Sequence, residues 1–337
     1  MNFVARLLPL IAIALLSSCS WVHNLQLNTT RPAQIAYDFT PPSIVVVNNS
    51  VTPDVQEYSR YIDENGKRYR LLFSADSLPS LMTMSLATEL YDSNFFGSVE
   101  ALLPDSNLIT GMAGVDSTQL QQWRAYAPWD VHVAIDDIKP CAIMRVEMLD
   151  GVFGVELQIA SSAVLECYSP GQEAVHFFVS DTLWWYGYGQ TPTLARMDLP
   201  DVDACVEEAI ASLSAKAAQL FAPHNRVVER YIFVTGHPAM KDAMRYWQNE
   251  QYAEASYIWE YVYEKARDKG RRAKAAANLA IYYELEDEIE KARSYARQSL
   301  SIFTEIMSEN EAQYMSSYYQ ELSTRIEENY RLNSYSL

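Results

Sequence analysis

In the middle of the chain three stretches alternate apolar and polar residues with a period of two, and Asp150-Gly151 separates the last two of them. Val131, Val133 and Ile135 fall on one side with His132 and Asp136 on the other, Met144-Arg145-Val146-Glu147-Met148 repeats the pattern, and Phe153, Val155, Leu157 and Ile159 carry it back. Side chains of a strand point to opposite faces in turn, so such a segment buries one face and wets the other. Asp-Gly suits a two-residue hairpin turn, where both central positions need positive φ. A chain with this hairpin must build a sheet around it. Ser169-Pro170-Gly171 reads as a second turn and Val175 to Tyr188 as a third, aromatic strand, which makes an antiparallel meander.

Upstream, Ile44-Val45-Val46-Val47 reads as a buried central strand closed by Asn48-Asn49-Ser50, followed by a polar stretch through Glu64-Asn65-Gly66. Asp76-Ser77 supplies helix-start chemistry, and Leu78, Met82, Leu86 and Leu90 recur every four residues on one face. Phe95 to Glu100 reads as a strand, and Val206, Ile210, Leu213, Ala217 and Leu220 as an amphipathic helix stopped by Pro223. Each apolar face must be buried against another element, which predicts an α+β domain: a mixed or antiparallel sheet covered by two helices.

From about residue 239 the composition turns to Ala, Glu, Tyr, Lys and Arg without proline. Ala243, Tyr252, Ala255 and Trp259 correspond to Ala280, Ile289, Ala292 and Ala296 at an offset of 37. Small residues recurring where helices approach closely resemble the tetratricopeptide repeat, with Ala255 and Ala292 at the small position of the second helix. Two units, Pro238 to Lys269 and Arg271 to Phe303, are expected, with the extra residues in the loop around Asp268-Lys269-Gly270 and a capping helix from about Glu311 to Leu332. The glycine usual between paired helices is absent, replaced near Glu250 and Asp287.

The N-terminus carries Arg6, an apolar run Leu7 to Leu16, then small residues and Cys19, too short a run to span a bilayer. Leu16-Ser17-Ser18-Cys19 resembles the lipobox of bacterial lipoproteins, which implies cleavage before Cys19 and acylation of its thiol. Ser20 follows, without an acidic run, and by the sorting rules of those lipoproteins this implies the periplasmic face of the outer membrane. The expected organisation is a signal peptide over 1–18, a lipid anchor and tether over 19–42, an α+β domain over 43–236 and helical repeats over 237–337. A net charge of −17 disfavours nucleic acid and anionic lipid headgroups as ligands. Cys141, Cys167 and Cys205 form no metal spacing; Cys141 and Cys167 fall in neighbouring expected strands and could pair, although buried free thiols are the preferred reading.

No phosphate loop, Gly-x-Ser-x-Gly elbow or His-Glu-x-x-His zinc motif occurs, so no catalytic residue, metal or cofactor is expected. His132 and Asp136 would share a strand face, an arrangement weighed as a metal or acid/base pair and set below a solvated face. In Trp184-Trp185-Tyr186-Gly187-Tyr188, alternation puts Trp184, Tyr186 and Tyr188 on one face and Trp185 on the other, core packing being preferred to a glycan-stacking surface.

The order of Ile44-Val45-Val46-Val47-Asn48, the Leu-rich helix ending near Tyr91, Phe95-Phe96, Trp129-Asp130-Val131-His132-Val133 and the Ala-rich helix before Pro223 resembles an uncharacterised family of Bacteroidota lipoproteins. Those join an α+β domain to tetratricopeptide-like helices. More distantly, the first half is similar to the periplasmic domain of the curli secretion lipoprotein and the first domain of TolB. The expectation is a non-enzymatic envelope scaffold or assembly factor, holding a protein partner on the concave face of its repeats through exposed members of Trp247, Tyr252, Tyr257, Tyr261, Tyr282 and Tyr283. The competing expectation is glycan binding at Trp184, Tyr186 and Tyr188.

Overall fold

Strands β1 (Val22–Arg31), β2 (Ser43–Asn48), β3 (Arg60–Ile62), β4 (Arg68–Arg70) and β5 (Ser98–Leu102) precede the hairpin that the alternation predicts, β6 (Val131–Leu149) and β7 (Val152–Tyr168). Asp150 and Gly151 turn between its arms with φ of 50° and 84°. The third arm is β8 (Val175–Gly189), and β9 (His224–Phe233) follows later. The computed structural model describes residues 22–37, 42–50, 58–103, 117–126, 129–169, 173–235 and 237–335. The chain divides into two units: Ala33–His224, and Asn225–Ser334 with the N-terminal residues through Pro32.

In the first unit β7 runs antiparallel along one edge of β6 with β8 beyond it, while β2 and β3 lie in succession along the other edge, both parallel to β6. β5 pairs parallel with β2 and β4 antiparallel with β3. The sheet is mixed and open. A bulge between Ile135 and Asp137 reverses the side-chain parity of β6, because it inserts a residue that its partner does not match. Val131, Val133 and Ile135 before it, and Ile138, Ala142, Met144 and Val146 after it, therefore reach one core.

That core lies under helix α1 (Leu78–Asp92) and helix α4 (Val202–Phe221), whose Leu78, Met82, Leu86 and Leu90, and Val206, Ile210, Leu213 and Ala217, are fully buried. Leu86→Ala here would cost about 2–5 kcal/mol, transfer plus cavity. Helix α2 (Ser117–Tyr126) covers part of the opposite face, where its Trp123 meets Val45, Val47, Leu102 and Ala134. Short helix α3 (Pro192–Met197), capped by the Thr191 hydroxyl, follows β8. Phe95 and Phe96 precede β5 rather than lying in it, and their rings pack on Tyr37.

In the second unit β1 pairs with β9, and helices α5 (Pro238–Gln248), α6 (Tyr252–Lys265), α7 (Lys269–Leu285), α8 (Ile289–Glu305) and α9 (Glu309–Ser334) each pack on the next. Asp268 caps α7 through its carboxylate, so Lys269 and Gly270 belong to its first turn rather than to a loop. The irregular tether expected over 19–42 contains the ten-residue strand β1, since Leu27 and Thr29 are buried in this unit. The domain boundary expected at 236/237 falls instead at 224/225, because β9 joins β1 and the helices. Residues 1–18, Cys19 and residues 38–41 lie outside the described residues. No helix among the described residues is long and apolar enough to cross a membrane.

Candidate functional site

Among the described residues strand β8 is paired on one edge only, with β7. Its odd-numbered positions face the helices: Val179 is buried, and Phe177, Leu183 and Trp185 pack on the core. Gly187 and Gly189 complete this row, and a Cβ at either would run into the backbone of Ala195 or Leu194 in α3. The two glycines therefore admit α3 onto the covered side. The opposite parity is left to Trp184, Tyr186 and Tyr188, which are 50%, 57% and 59% exposed. Core packing, the reading preferred from sequence, holds for Trp185 and not for these three.

Registers across the strands define what accompanies them. Trp184 lies opposite Gln158, then Ile143, Arg60 and Arg70 in turn. Tyr186 lies opposite Glu156, then Arg145, Ile62 and Arg68, and Tyr188 opposite Gly154 and Glu147. Cross-strand partners share a face, so aromatics line one margin, hydrogen-bonding side chains with Ile143 and Ile62 among them the middle, and arginines the far margin. At a strand spacing of about 4.8 Å, the arginine of β3 stands about 14 Å from the aromatic row and those of β4 about 19 Å. Over Gly154, whose missing side chain leaves room, Arg145, Glu147, Glu156, Tyr186 and Tyr188 line a cavity of about 190 Å3. Arg145 is within 3.9 Å of Glu147 and 3.8 Å of Glu156. Arg60, Arg68 and Arg70 are exposed and join no ion pair among the described residues.

His132 and Asp136 do not form the pair weighed from sequence. His132 is fully buried opposite Tyr168, and Asp136 sits in the bulge, accepting a 2.6 Å hydrogen bond from the Asn49 amide. Burial raises the Asp136 carboxyl above the usual range, opposed by the Asn49 bond and helped by nearby Glu166. Among the described residues no group of three or more His, Cys, Asp or Glu side chains could hold a metal. Cys141, Cys167 and Cys205 are free thiols. Cys167 belongs to the helix-covered core, whereas Cys141 pairs in register with Ala160, seven positions from Cys167 along β7, so the two do not meet.

The helical candidates separate similarly. Trp247 is buried, its ring 4.6 Å from that of Tyr252 and 5.3 Å from that of Trp259, so it is a packing residue. Tyr282 and Tyr283 are half-buried, Tyr283 stacking on Tyr295 at 5.4 Å. Tyr257 and Tyr261, one turn apart on α6, are exposed. Meanwhile β9 lies against α7 and α9. The Asn278 side chain accepts from the Phe233 N–H (2.7 Å) and donates to the Phe233 carbonyl (2.9 Å), and the Tyr314 hydroxyl accepts from the Tyr231 N–H. Arg230 donates to both oxygens of the fully buried Glu284 (2.8 and 3.0 Å) and to Glu321 (2.9 Å). Burial opposes the Arg230 charge, but the bond to Glu284 and its charge outweigh that and hold the guanidinium protonated. This surface of α7 and α9 is occupied by the chain's own strand β9.

Sequence reasoning missed the arginines. Arg60-Tyr61-Ile62 and Arg68-Tyr69-Arg70 alternate around Asn65-Gly66, a hairpin signal that could have found them. Asp63 closes that turn, accepting from the Asn65 and Lys67 N–H groups and the Tyr69 hydroxyl.

A family model described as a domain of unknown function (DUF6340) matches residues 241–324, within α5 to α9 and short of β1 and β9. No curated protein matches the chain. Among solved structures it is similar to a Xanthomonas campestris protein assigned to the family model DUF330, at 12% identity and a TM-score of 0.28, over 57% of this chain and 86% of that one.

Proposed function

We propose that this protein is a lipid-anchored component of the cell envelope that binds a glycan on the open face of its sheet without transforming it. The observation that carries the reading is the exposed row Trp184, Tyr186 and Tyr188 beside Gln158, Glu156 and Arg145. Aromatic rings offer flat apolar faces to a sugar ring, and planar polar side chains next to them offer hydrogen bonds to its hydroxyls. Acylation of Cys19 is the anchor, on the resemblance to a lipobox and to Bacteroidota lipoproteins, with the periplasmic face of the outer membrane as the address. Affinity electrophoresis through gels carrying polysaccharides tests the ligand. Retardation that Trp184→Ala abolishes supports it, and unchanged mobility in every gel refutes it. Loss of fatty-acid labelling in Cys19→Ser tests the anchor.

A second reading, a scaffold that holds an envelope protein on tetratricopeptide-like repeats, has its own support. Glu250 and Asp287, 37 positions apart, end α5 and α7 in the left-handed region (φ 60° and 58°). Each is followed by the same turn bond, from Gln251 N–H to Tyr246 carbonyl and from Glu288 N–H to Tyr283 carbonyl. With β9 lying on α7 and α9, the exposed Tyr257 and Tyr261 of α6 are the surface this reading uses. A photo-crosslinker at Tyr257 should capture one specific envelope protein; random capture counts against it.

A further inference from the structure

The open face is polarised in a way that stacking on aromatic rings does not explain. Its far margin carries Arg60, Arg68 and Arg70, exposed and unpaired among the described residues, in a chain of net charge −17. Arg145 continues the row inward, and there the sign turns, because Glu147 and Glu156 flank it and outnumber it. From β4 to β8 the face thus passes from cationic to mildly anionic to aromatic. Resting on the glycan reading above, we infer that the ligand is an acidic oligosaccharide chain lying across the strands. Its sugar rings stack at Trp184 and Tyr186, and a carboxylate, sulfate or phosphate on a unit about 14–19 Å away engages the β3–β4 arginines.

Three observations favour this occupant. Guanidinium groups match the planar oxygens of carboxylate and phosphate, and three of them without ion-pair partners among the described residues leave their donors for an outside acceptor. The middle of the face carries Gln158, Glu156 and Arg145 beside the apolar Ile143 and Ile62, so hydrogen-bonding groups lie between the margins for a hydroxylated ligand. A uniformly charged acidic peptide would set carboxylates over Glu147 and Glu156, where like charges repel. An acidic glycan can place neutral rings there and its charge further on.

The test uses the full chain and three acidic polysaccharides, polygalacturonate, alginate and hyaluronate, against neutral dextran and poly-L-glutamate, by affinity electrophoresis and by titration at 50 and 300 mM salt. We expect binding to at least one acidic polysaccharide, weakened at least tenfold by the higher salt. Arg60→Ala/Arg70→Ala should lose at least tenfold in affinity, and Trp184→Ala a similar amount. The variants sit on exposed side chains, and an unchanged circular dichroism melt confirms that they fold. Binding to dextran that the arginine variant retains overturns the acidic ligand and leaves the glycan reading standing. Binding to poly-L-glutamate as tight as to the polysaccharides overturns the glycan in favour of an acidic peptide. No retardation by any polysaccharide overturns both.

Discussion

Glu284→Gln removes one negative charge from the most buried ionic cluster among the described residues of the helical unit. The carboxylate, with no exposed side-chain surface, accepts from Arg230 at 2.8 and 3.0 Å, from Arg325 at 2.9 Å and from the Tyr318 hydroxyl at 2.7 Å. An amide keeps the shape but offers one acceptor and turns an N–H2 toward groups that are themselves donors. Arg230, 6% exposed, would keep Glu321 at 2.9 Å as its remaining carboxylate, and Arg325 would keep Asp287 at 3.4 Å, 77% exposed. Removing one partner of a buried pair costs about 3–5 kcal/mol, and because Glu321 survives, the low end, about 3 kcal/mol, is expected. Against a total of about 5–15 kcal/mol this is a large fraction. For a unit of this size it corresponds to a fall in Tm of about 12 °C. Thermal and urea unfolding of the full chain, followed at 222 nm for the helices, measures it. Glu305→Gln, which breaks the exposed pair with Lys269, is the control and should cost under about 1 kcal/mol. Equal losses in the two variants would show that the buried cluster behaves as a surface pair and would sink the argument.

Asn278→Ala strips both hydrogen bonds from the buried Phe233 backbone and should cost about 2–3 kcal/mol. Amide exchange at Phe233 should accelerate; unchanged protection there refutes the clamp. Gly187→Val drives a side chain into the Ala195 carbonyl and should lower stability by more than 2 kcal/mol, whereas Gly66→Ala, with open space but φ of 77°, should cost about 1 kcal/mol; equal urea midpoints contradict this. Glu250→Gly relieves a left-handed residue and should raise stability by about 0.5–1 kcal/mol, read as a higher urea midpoint. Burial pushes the Cys167 thiol up to about 12 from an ordinary value of 9.0. The folded state therefore prefers the neutral thiol. Its contribution is fully present below pH 9 and lost as the pH rises toward 12, at about 1.4 kcal/mol per pH unit. Urea midpoints of wild type and Cys167→Ala should converge or cross over that window, and a constant gap would contradict the assignment.

Local periodicity made the hairpin, the Leu78 and Val206 helices and the helical stretch after residue 239 legible, because each depends on residues near in sequence. It failed wherever parity or pairing was set at a distance. The bulge at Asp136 exchanged the faces of β6 in mid-strand, and His132, ahead of it and level with Val45 and Tyr168, lies on the face where Trp123 packs and is buried rather than solvated. Strand β1 looked irregular because what orders it is β9, some 200 residues away. Trp184, Tyr186 and Tyr188 could be assigned to one face by alternation, but which face the helices would cover was not written there.

The sequence by itself determined that this chain alternates a sheet-forming half with a helical half, and it placed a lipobox-like cysteine and two aromatic sets as candidates. The two halves and the aromatic sets follow from spacing, since strand and helix periods are local properties, whereas the cysteine rests on resemblance to a lipobox. Only the tertiary structure decided which candidates remain open. Packing buried Trp247, β9 took the surface of α7 and α9, and the Gly187 and Gly189 contacts with α3 turned the β8 aromatics outward. Strand pairing then brought Arg60, Arg68, Arg70 and Arg145 onto the same face, because register joins residues that lie more than seventy positions apart.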